Sequence, residues 1–214
     1  MFSNFALFNI TMGIKQRKER EKEEMKKLVL DAAGKIAVSE GFEKISIRRI
    51  AEEIEYSPGT IYLYFKNRDE ILYDLHRLAF QKFYEMQLTV SDIKDPFEKL
   101  REHGRVYITF GLDNPELYEL MFIVQAPGNE IEANQEWNEG MKTFEFLKQN
   151  IQECVDAGYL RGDVSVLSIG MWSLVHGLVS LFLRKRMAMV PKDYIRPVLY
   201  NAYETMVDNF RQGK

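Results

Sequence analysis

Apolar residues recur every three or four positions along most of the chain, which is the period of an amphipathic α-helix. The first clear stripe comprises Met25, Leu28, Val29, Ala32, Ala33, Ile36 and Ala37. Glycine follows at position 41, where it favours the end of a helix. No segment alternates apolar and polar residues as a half-buried strand does. The pattern therefore predicts an all-α protein.

Between residues 45 and 65 the spacing predicts two short helices joined by a tight turn at positions 55 and 56. Ser46 can cap the first helix and Ser57 the second. Pro58 takes the first helical position of the second helix, where its missing N–H costs no hydrogen bond. Ile61 and Phe65 face inward, so polar and aromatic side chains remain on the outer face. This pattern is typical of a helix-turn-helix that enters the major groove of DNA.

Helix signals continue through the rest of the chain. Asn67 and Glu70 resemble a capping box that opens a helix running to Phe83. The pairs Asp95-Pro96 and Asn114-Pro115 predict two further helix starts, and residues 126–129 predict a loop. The next predicted helix contains Trp137 and ends near Gly158. Two long apolar helices, Val164–Arg186 and Lys192–Phe210, complete the predicted set.

The run from Leu28 to about Leu75 resembles the DNA-binding domain of the tetracycline-repressor (TetR) family of transcriptional regulators. The residues that carry the resemblance are Ala32-Ala33, Gly41-Phe42, Ser46-Ile47, Ile50-Ala51 and the unbroken run from Ser57 to Arg68. Farther along, Trp172, His176 and Gly177 resemble the Trp-His-Gly signature of one class of TetR C-terminal domain. The resemblance implies a three-helix helix-turn-helix DNA-binding head followed by a helical-bundle ligand-binding and dimerisation domain. Most members are repressors that leave their operator when a small molecule binds.

The resemblance also implies the division of the chain and the residues that contact DNA. We expect an N-terminal extension or basic-acidic arm at 1–22, the DNA-binding domain at 23–83 and the ligand-binding and dimerisation domain at 84–214. By position, the DNA contacts of the family fall on Ser46, Arg48, Tyr56, Ser57, Gly59, Thr60, Tyr62, Tyr64 and Lys66. Leu63 stands where relatives often carry a polar or aromatic residue, so a base contact is not expected there. The last two helices would pair with their copies in a homodimer that reads a palindromic operator on double-stranded DNA.

The helix order places a small-molecule effector site among the middle helices. Its expected members are His103, Tyr107, Phe110, Met121, Phe122, Phe144, Trp172 and His176. The aromatic content of 13% favours an apolar or aromatic effector. The alternative for each of these residues is ordinary core packing, because aromatic side chains at helical spacing are common in cores.

Composition agrees with a cytoplasmic regulator without requiring one. The formal net charge of the 214 residues is −3, so no general basic surface indicates nucleic acid. Phosphate attraction must then come from local side chains and helix N-termini. Cys154 is the single cysteine, which excludes an internal disulfide and suits a reducing compartment. Its apolar surroundings favour a small buried hydrophobe over a redox sensor.

Other classes of function were weighed against the same sequence. The motifs of common hydrolases, nucleotide-binding enzymes and zinc proteases are absent, and the three histidines lack metal-ligand spacing. We therefore expect no catalytic residues, no metal and no cofactor. A helical protein-interaction module remains an alternative. A membrane-anchored regulator is another, because Val164–Leu183 contains no charged residue and precedes three basic ones; the competing interpretation is the central helix of a bundle.

The N-terminal segment leaves two questions open. Residues 1–11 are apolar but lack the basic start and cleavage site of a signal peptide, so Met12 is a candidate for the natural initiator. From Lys15 to Lys27 basic residues alternate with glutamate. This pattern favours a solvated, ion-paired start of a helix. The alternative is a basic arm that reaches neighbouring phosphates.

Overall fold

The computed structural model describes residues 3–134 and 137–212, and all regular structure within these ranges is helical. The helices are α1 (Ser3–Glu40), α2 (Ile47–Glu53), α3 (Pro58–Ile61), α4 (Arg68–Gln87), α5 (Pro96–Asp113), α6 (Pro115–Phe122), α7 (Gln125–Asn134), α8 (Asn138–Asp156), α9 (Val164–Leu183) and α10 (Ile195–Phe210). Short 3-10 turns occupy Phe42–Lys44, Leu88–Val90 and Lys192–Tyr194. The all-α prediction is confirmed.

The chain forms two compact units. The first comprises the described residues up to Leu75 together with Val124–Glu130, and the second comprises His76–Ile123 and the described residues from Ile131 onward. Helix α4 begins in the first unit and ends in the second. The domain boundary expected between residues 83 and 84 lies inside this continuous helix. The three domain ranges expected from the sequence stay predictions.

The first unit is built on the C-terminal part of α1, which packs its predicted apolar stripe inward. Val29, Ala33 and Ile36 are buried there, together with Ile45 and Ile50. Gly41 ends α1 with a φ of 93°, a left-handed conformation that favours glycine. The chain can therefore turn directly from α1 towards α2.

The start of α1 matches the solvated interpretation of its alternating charges. Residues 15–24 are exposed, and ion pairs between Arg17 and Glu21 and between Arg20 and Glu24 run along the helix. Such pairs stabilise an exposed helix only weakly. A contact between this segment and phosphates stays the alternative prediction. The side chain of Met12, the candidate initiator, lies outside the described residues.

The second unit packs α5, α8, α9 and α10 around one aromatic core. Gly104 on α5 lets the buried ring of Tyr203 on α10 approach the backbone, and the Tyr203 hydroxyl donates to the Leu100 carbonyl at 2.7 Å. Cys154 is fully buried and its thiol donates to the Pro96 carbonyl at 3.1 Å. Burial raises the pKa of the Cys154 thiol to about 12. The thiol is therefore protonated at neutral pH, which supports a packing role.

Helix α9 is long and apolar enough to cross a membrane by length and composition, with 22% of its most apolar window buried within the chain. One stripe of α9, comprising Ser168, Met171, Val175 and Val179, faces the core of the second unit. Val166, Ile169 and Leu181 are exposed on its other side. Within the single chain, therefore, only one side of α9 is buried. An apolar surface remains open along α9.

Several predicted helix boundaries and caps were wrong, and Trp137 precedes α8 instead of lying in it. Residues 126–129 belong to α7 and not to a loop, because Pro127 lies in the first turn, where a backbone N–H has no helical partner. Asn114 precedes α6 but makes no capping bond, since its side chain donates to the Phe110 carbonyl and accepts from Lys82. Helix α9 ends at Leu183 and not at Arg186, and α10 begins at Ile195 after a 3-10 turn.

Substitution of Gly104 by alanine tests the packing of the second core. A Cβ at this position would lie 1.9 Å from the Tyr203 ring, whose buried position leaves it little room to shift. We expect Gly104→Ala to lower the free energy of unfolding by about 1–3 kcal/mol in urea titrations. Gly34→Ala in α1 is the control: its Cβ would meet nothing within 4 Å, so a gain of up to about 1 kcal/mol is expected. Equal stability of the two variants would contradict this packing.

Candidate nucleic-acid interface and effector cavity

Both serine caps predicted for the helix-turn-helix are confirmed. The Ser46 hydroxyl accepts from the Arg49 N–H at 3.1 Å, and the Ser57 hydroxyl accepts from the Thr60 N–H at 3.2 Å. Glu55 takes a φ of 58° in the turn between α2 and α3. The left-handed residue reverses the chain direction within a short distance. Local hydrogen bonds thus fix the ends of both helices.

The second helix of this pair is shorter than its sequence indicated. Helix α3 has four residues, and Tyr62 and Tyr64 lie in or just beyond the turn that follows it. Ile61 and Phe65 are buried beneath this segment, as predicted. A four-residue helix is not stable alone, because nucleation of a helix is unfavourable. The burial of these two side chains is therefore what holds the segment in place.

The nine residues expected to contact DNA lie on this one short part of the first unit, and none of them is buried. The Arg48 side chain is 85% exposed and pairs with Glu52 at 3.1 Å. Tyr62 is 58% exposed, while Thr60 and Tyr64 are partly covered. The Thr60 hydroxyl lies 3.0 Å from the Ser57 hydroxyl. The other members, Ser46, Tyr56, Ser57, Gly59 and Lys66, are exposed.

Two other arginines near this surface form hydrogen bonds or ion pairs within the first unit. Arg68 donates from Nε to the Ile45 carbonyl and from Nη2 to the Phe42 carbonyl, each at 2.8 Å. It therefore ties the start of α4 to the chain before α2. Arg49 pairs with Glu40 and Glu53, so its charge is already compensated. The charge pattern of the sequence did not distinguish these two residues from Arg48.

A cavity of about 40 Å³ lies within the second unit. Of the eight expected effector residues, His103, Tyr107, Phe122, Phe144 and Trp172 line it. Phe110 packs against Phe83 in the core, with ring centroids 4.9 Å apart, and Met121 is also a core residue. His176 lies beside the cavity wall and not in it.

Comparisons with known proteins agree with this pairing of a helix-turn-helix with a cavity-bearing helical unit. A family model described as bacterial regulatory proteins, tetR family, matches residues 29–75, and one described as tetracyclin repressor-like, C-terminal domain, matches residues 100–208. The chain belongs to the TetR family of transcriptional regulators. In that family this helix-turn-helix is the DNA-binding domain. Dimerisation and release by a small-molecule effector are typical of the family.

Individual relatives of this TetR-family regulator are distant. It is 25% identical over 134 residues to an HTH-type transcriptional regulator of Haemophilus influenzae, covering 62% of this chain and 64% of the relative. It is 34% identical over 67 residues to the fatty acid metabolism regulator protein of Bacillus subtilis, covering 31% of this chain and 34% of that protein. The TetR-family regulator PfmR of Thermus thermophilus shares the fold, with a TM-score of 0.63 and 18% identity over 84% of this chain and 96% of PfmR.

The cavity wall of this TetR-family chain continues into a hydrogen-bonded aromatic cluster. The Tyr118 hydroxyl lies 2.7 Å from Nδ1 of His176, and the Tyr107 hydroxyl lies 3.2 Å from the same atom. The Trp172 indole donates to the Tyr107 hydroxyl at 3.3 Å. Burial lowers the pKa of His176 and raises the pKa values of Tyr107 and Tyr118, so the cluster is uncharged at neutral pH. His176 thus supports the wall residue Tyr107 from outside the cavity.

Several wall residues were missed in the sequence. They include Phe80, Phe83 and Gln87 at the end of α4, Trp137 before α8, Gly140 within α8 and Met171 within α9. Gln87 continues the three- and four-residue spacing of Phe80 and Phe83, so a polar residue on that apolar face was the available signal. Gly140 allows the Trp137 ring to lie against the backbone, since a Cβ there would be 1.9 Å from the indole.

The pH dependence of stability tests the burial of His103. Burial lowers the pKa of His103 from 6.5 to about 4, so the folded protein resists protonation that the unfolded chain accepts. Above pH 6.5 the ring is neutral in both the folded and the unfolded state, so it does not lower the free energy of unfolding. As the pH falls from 6.5 to about 4, only the unfolded chain binds the proton, and the free energy of unfolding decreases progressively. We expect His103→Gln to reduce the loss of stability between pH 6.5 and 5 by about 2 kcal/mol in urea titrations. Identical pH slopes for the two proteins would contradict the burial of a neutral ring.

Proposed function

We propose that this protein is a homodimeric repressor that binds a palindromic operator and leaves it when a small apolar or aromatic molecule occupies the cavity. The observation that carries the proposal is the exposed polar and aromatic surface around α3, held from below by Ile61 and Phe65. Basic and hydroxyl-bearing side chains at that surface suit the phosphates and base edges of a major groove. The protein would act in the cytoplasm, as members of the family do.

The side chains of this surface divide into two expected roles. Ser46, Tyr62, Tyr64 and Lys66 would bind phosphates and position the head, because hydroxyl and ammonium groups suit phosphate oxygens. Arg48, Thr60 and Gly59 would lie nearest the base edges, while Tyr56 and Ser57 would contact the flanking backbone. Leu63 is 77% exposed beside them, and no base contact is expected from it.

The exposed apolar surface of α9 and α10 supports pairing with a second copy. Val166, Ile169 and Leu181 are exposed on α9, and Met206 and Phe210 are exposed on α10. Several exposed apolar side chains on two helices that contact one another are typical of a protein interface. In the dimer, two copies of α3 would read half-sites about 34–36 Å apart on one side of the duplex. The proposed dimer interface consists of residues 164–186 and residues 192–210 of each subunit.

Helix α4 offers a direct connection between the two activities. It begins at Arg68, which supports the helix-turn-helix, and Phe80, Phe83 and Gln87 near its other end line the cavity. Because these residues belong to one helix, displacement of the cavity end by a ligand would be transmitted along α4.

We further propose that the C-terminal domain belongs to the Trp-His-Gly class, in which Trp172 and His176 would support the effector site.

Selection of bound duplexes from a random pool tests the proposed function directly. The expected result is an enriched palindrome whose half-sites are separated by one helical turn. Addition of a cavity ligand should then release the selected duplex in a gel-shift assay. Failure to enrich any sequence at low ionic strength would overturn the proposal, because a helical protein-interaction module would give that result.

Substitution of Lys66 by alanine tests the division of roles. We expect Lys66→Ala to weaken binding to all duplexes alike and to reduce the salt slope of the affinity by about 1, since one phosphate contact is lost. Lys142→Ala on α8 removes the same charge outside the proposed surface and should leave both unchanged. Thr60→Ala and Arg48→Ala should instead alter the preferred sequence in the selection. An unchanged salt slope for Lys66→Ala would show that the docking is wrong.

A bulky charge on α9 tests the dimer interface. Gly170 is exposed, and a Cβ added there meets nothing within 4 Å, so the single chain has room for a larger residue. We expect the wild-type protein to sediment as a dimer and Gly170→Arg to sediment as a monomer, because an arginine would separate the paired helices. Gly128→Arg on α7 is the matched control at another open glycine and should remain dimeric. A dimeric Gly170→Arg would place the interface elsewhere.

A further inference from the structure

The cavity of the second unit has no formal charge in its wall. Among the described residues that line it there is no aspartate, glutamate, lysine or arginine. The titratable groups present are His103 and the two phenols Tyr107 and Tyr203. Burial lowers the pKa of His103 to about 4 and raises the pKa values of both phenols. At neutral pH each of these groups is therefore uncharged.

This wall disfavours a ligand whose charge is buried with it. A carboxylate or ammonium taken out of water requires an opposite charge or several hydrogen bonds, and burial without them is far more costly than burial of a neutral polar group. The rings of Phe122, Phe144 and Trp172 instead provide an apolar surface, with the centroids of Phe122 and Phe144 within 6.2 Å of Trp172. Flat or aromatic molecules fit such rings through offset and edge contacts.

Three polar atoms of wall residues are buried without a hydrogen-bond partner among the described residues: Oε1 of Gln87, Nδ1 of His103 and Nε1 of Trp137. The Gln87 side chain is only 2% exposed. The other end of the Gln87 amide is fixed: Nε2 lies 2.7 Å from His103 Nε2 and 3.4 Å from the Thr143 carbonyl, which can only accept. Oε1 is therefore the free acceptor of this amide, and the Trp137 indole N–H is a free donor.

We propose that the cavity binds an electrically neutral, mainly apolar or aromatic molecule that donates a hydrogen bond to Gln87 Oε1 or accepts one from Trp137 Nε1. Phenols, alcohols and uncharged amides belong to this class. Carboxylates and amines that carry their charge into the cavity do not. The inference rests on the proposed function, because it names the effector class of the same cavity, but its test needs no DNA.

Tryptophan fluorescence of the full-length protein provides the readout, because the only two tryptophans of the chain, Trp137 and Trp172, both line the cavity. Four matched probes are titrated at neutral pH: para-pentylphenol, para-pentylbenzamide, para-pentylbenzoate and pentylbenzene. The phenol and the amide should bind at least about tenfold more tightly than the benzoate anion. They should also bind more tightly than pentylbenzene, which lacks a polar group.

Two variants assign the polar contacts. Gln87→Leu should weaken binding of the phenol about five- to tenfold, and Trp137→Phe should weaken binding of the amide to a similar extent, because each removes one hydrogen-bond partner. Pentylbenzene is the internal control, and its affinity should stay within about twofold in both variants. Circular dichroism confirms that each variant is folded, and Trp172 reports on binding in both.

The outcomes separate this inference from the proposed function. Tighter binding of the benzoate than of the phenol and the amide would overturn the neutral class while leaving DNA binding untouched. Absence of a fluorescence response to all four probes at millimolar concentration would also overturn it. Equal losses for pentylbenzene and the polar probes would show that the two variants act only by reshaping the cavity, and would overturn the assigned hydrogen bonds.

Discussion

The burial of Ile61 and Phe65 is the contact on which the proposed DNA-binding surface depends. Helix α3 is too short to be stable by itself, so its conformation comes from these two side chains and from the Ser57 cap. Arg68 adds two hydrogen bonds to backbone carbonyls that precede α2. Because the buried side and the caps supply the stability, the outer residues are free to be polar, aromatic or small. A surface proposed to fit DNA can then vary without loss of the fold.

The second unit has an aromatic core that contains a cavity. Gly104 and Gly140 allow the rings of Tyr203 and Trp137 to lie against helix backbones at the cavity wall. Large rigid rings pack efficiently with one another but leave space where their edges cannot interdigitate. The hydrogen bonds of Tyr107, Tyr118 and His176 fix one part of the wall. Hydrogen bonds thus orient part of the wall, and its described lining carries no aspartate, glutamate, lysine or arginine.

Helix α9 has two different apolar faces. One faces the core through Met171, Val175 and Val179, and the other is exposed along Val166, Ile169 and Leu181. Its high hydropathy therefore has a simple origin, since a helix with a core on one side and a proposed partner subunit on the other needs apolar residues all round. The same composition satisfies the criteria for a membrane span. Composition alone does not distinguish these situations, because both place apolar residues on every face.

The sequence by itself determined the helical class, the two serine caps and the position of the helix-turn-helix, because these depend on spacing and on contacts between near neighbours. The helix order implied by the family resemblance also pointed to five residues that line the cavity. Tertiary structure decided that Phe110 and Met121 belong to the core and that Gln87 and Trp137 face the cavity. It also decided that Arg68 and Arg49 are engaged internally while Arg48 is exposed. These distinctions depend on which helices meet, and periodicity along one helix carries no information about its neighbours.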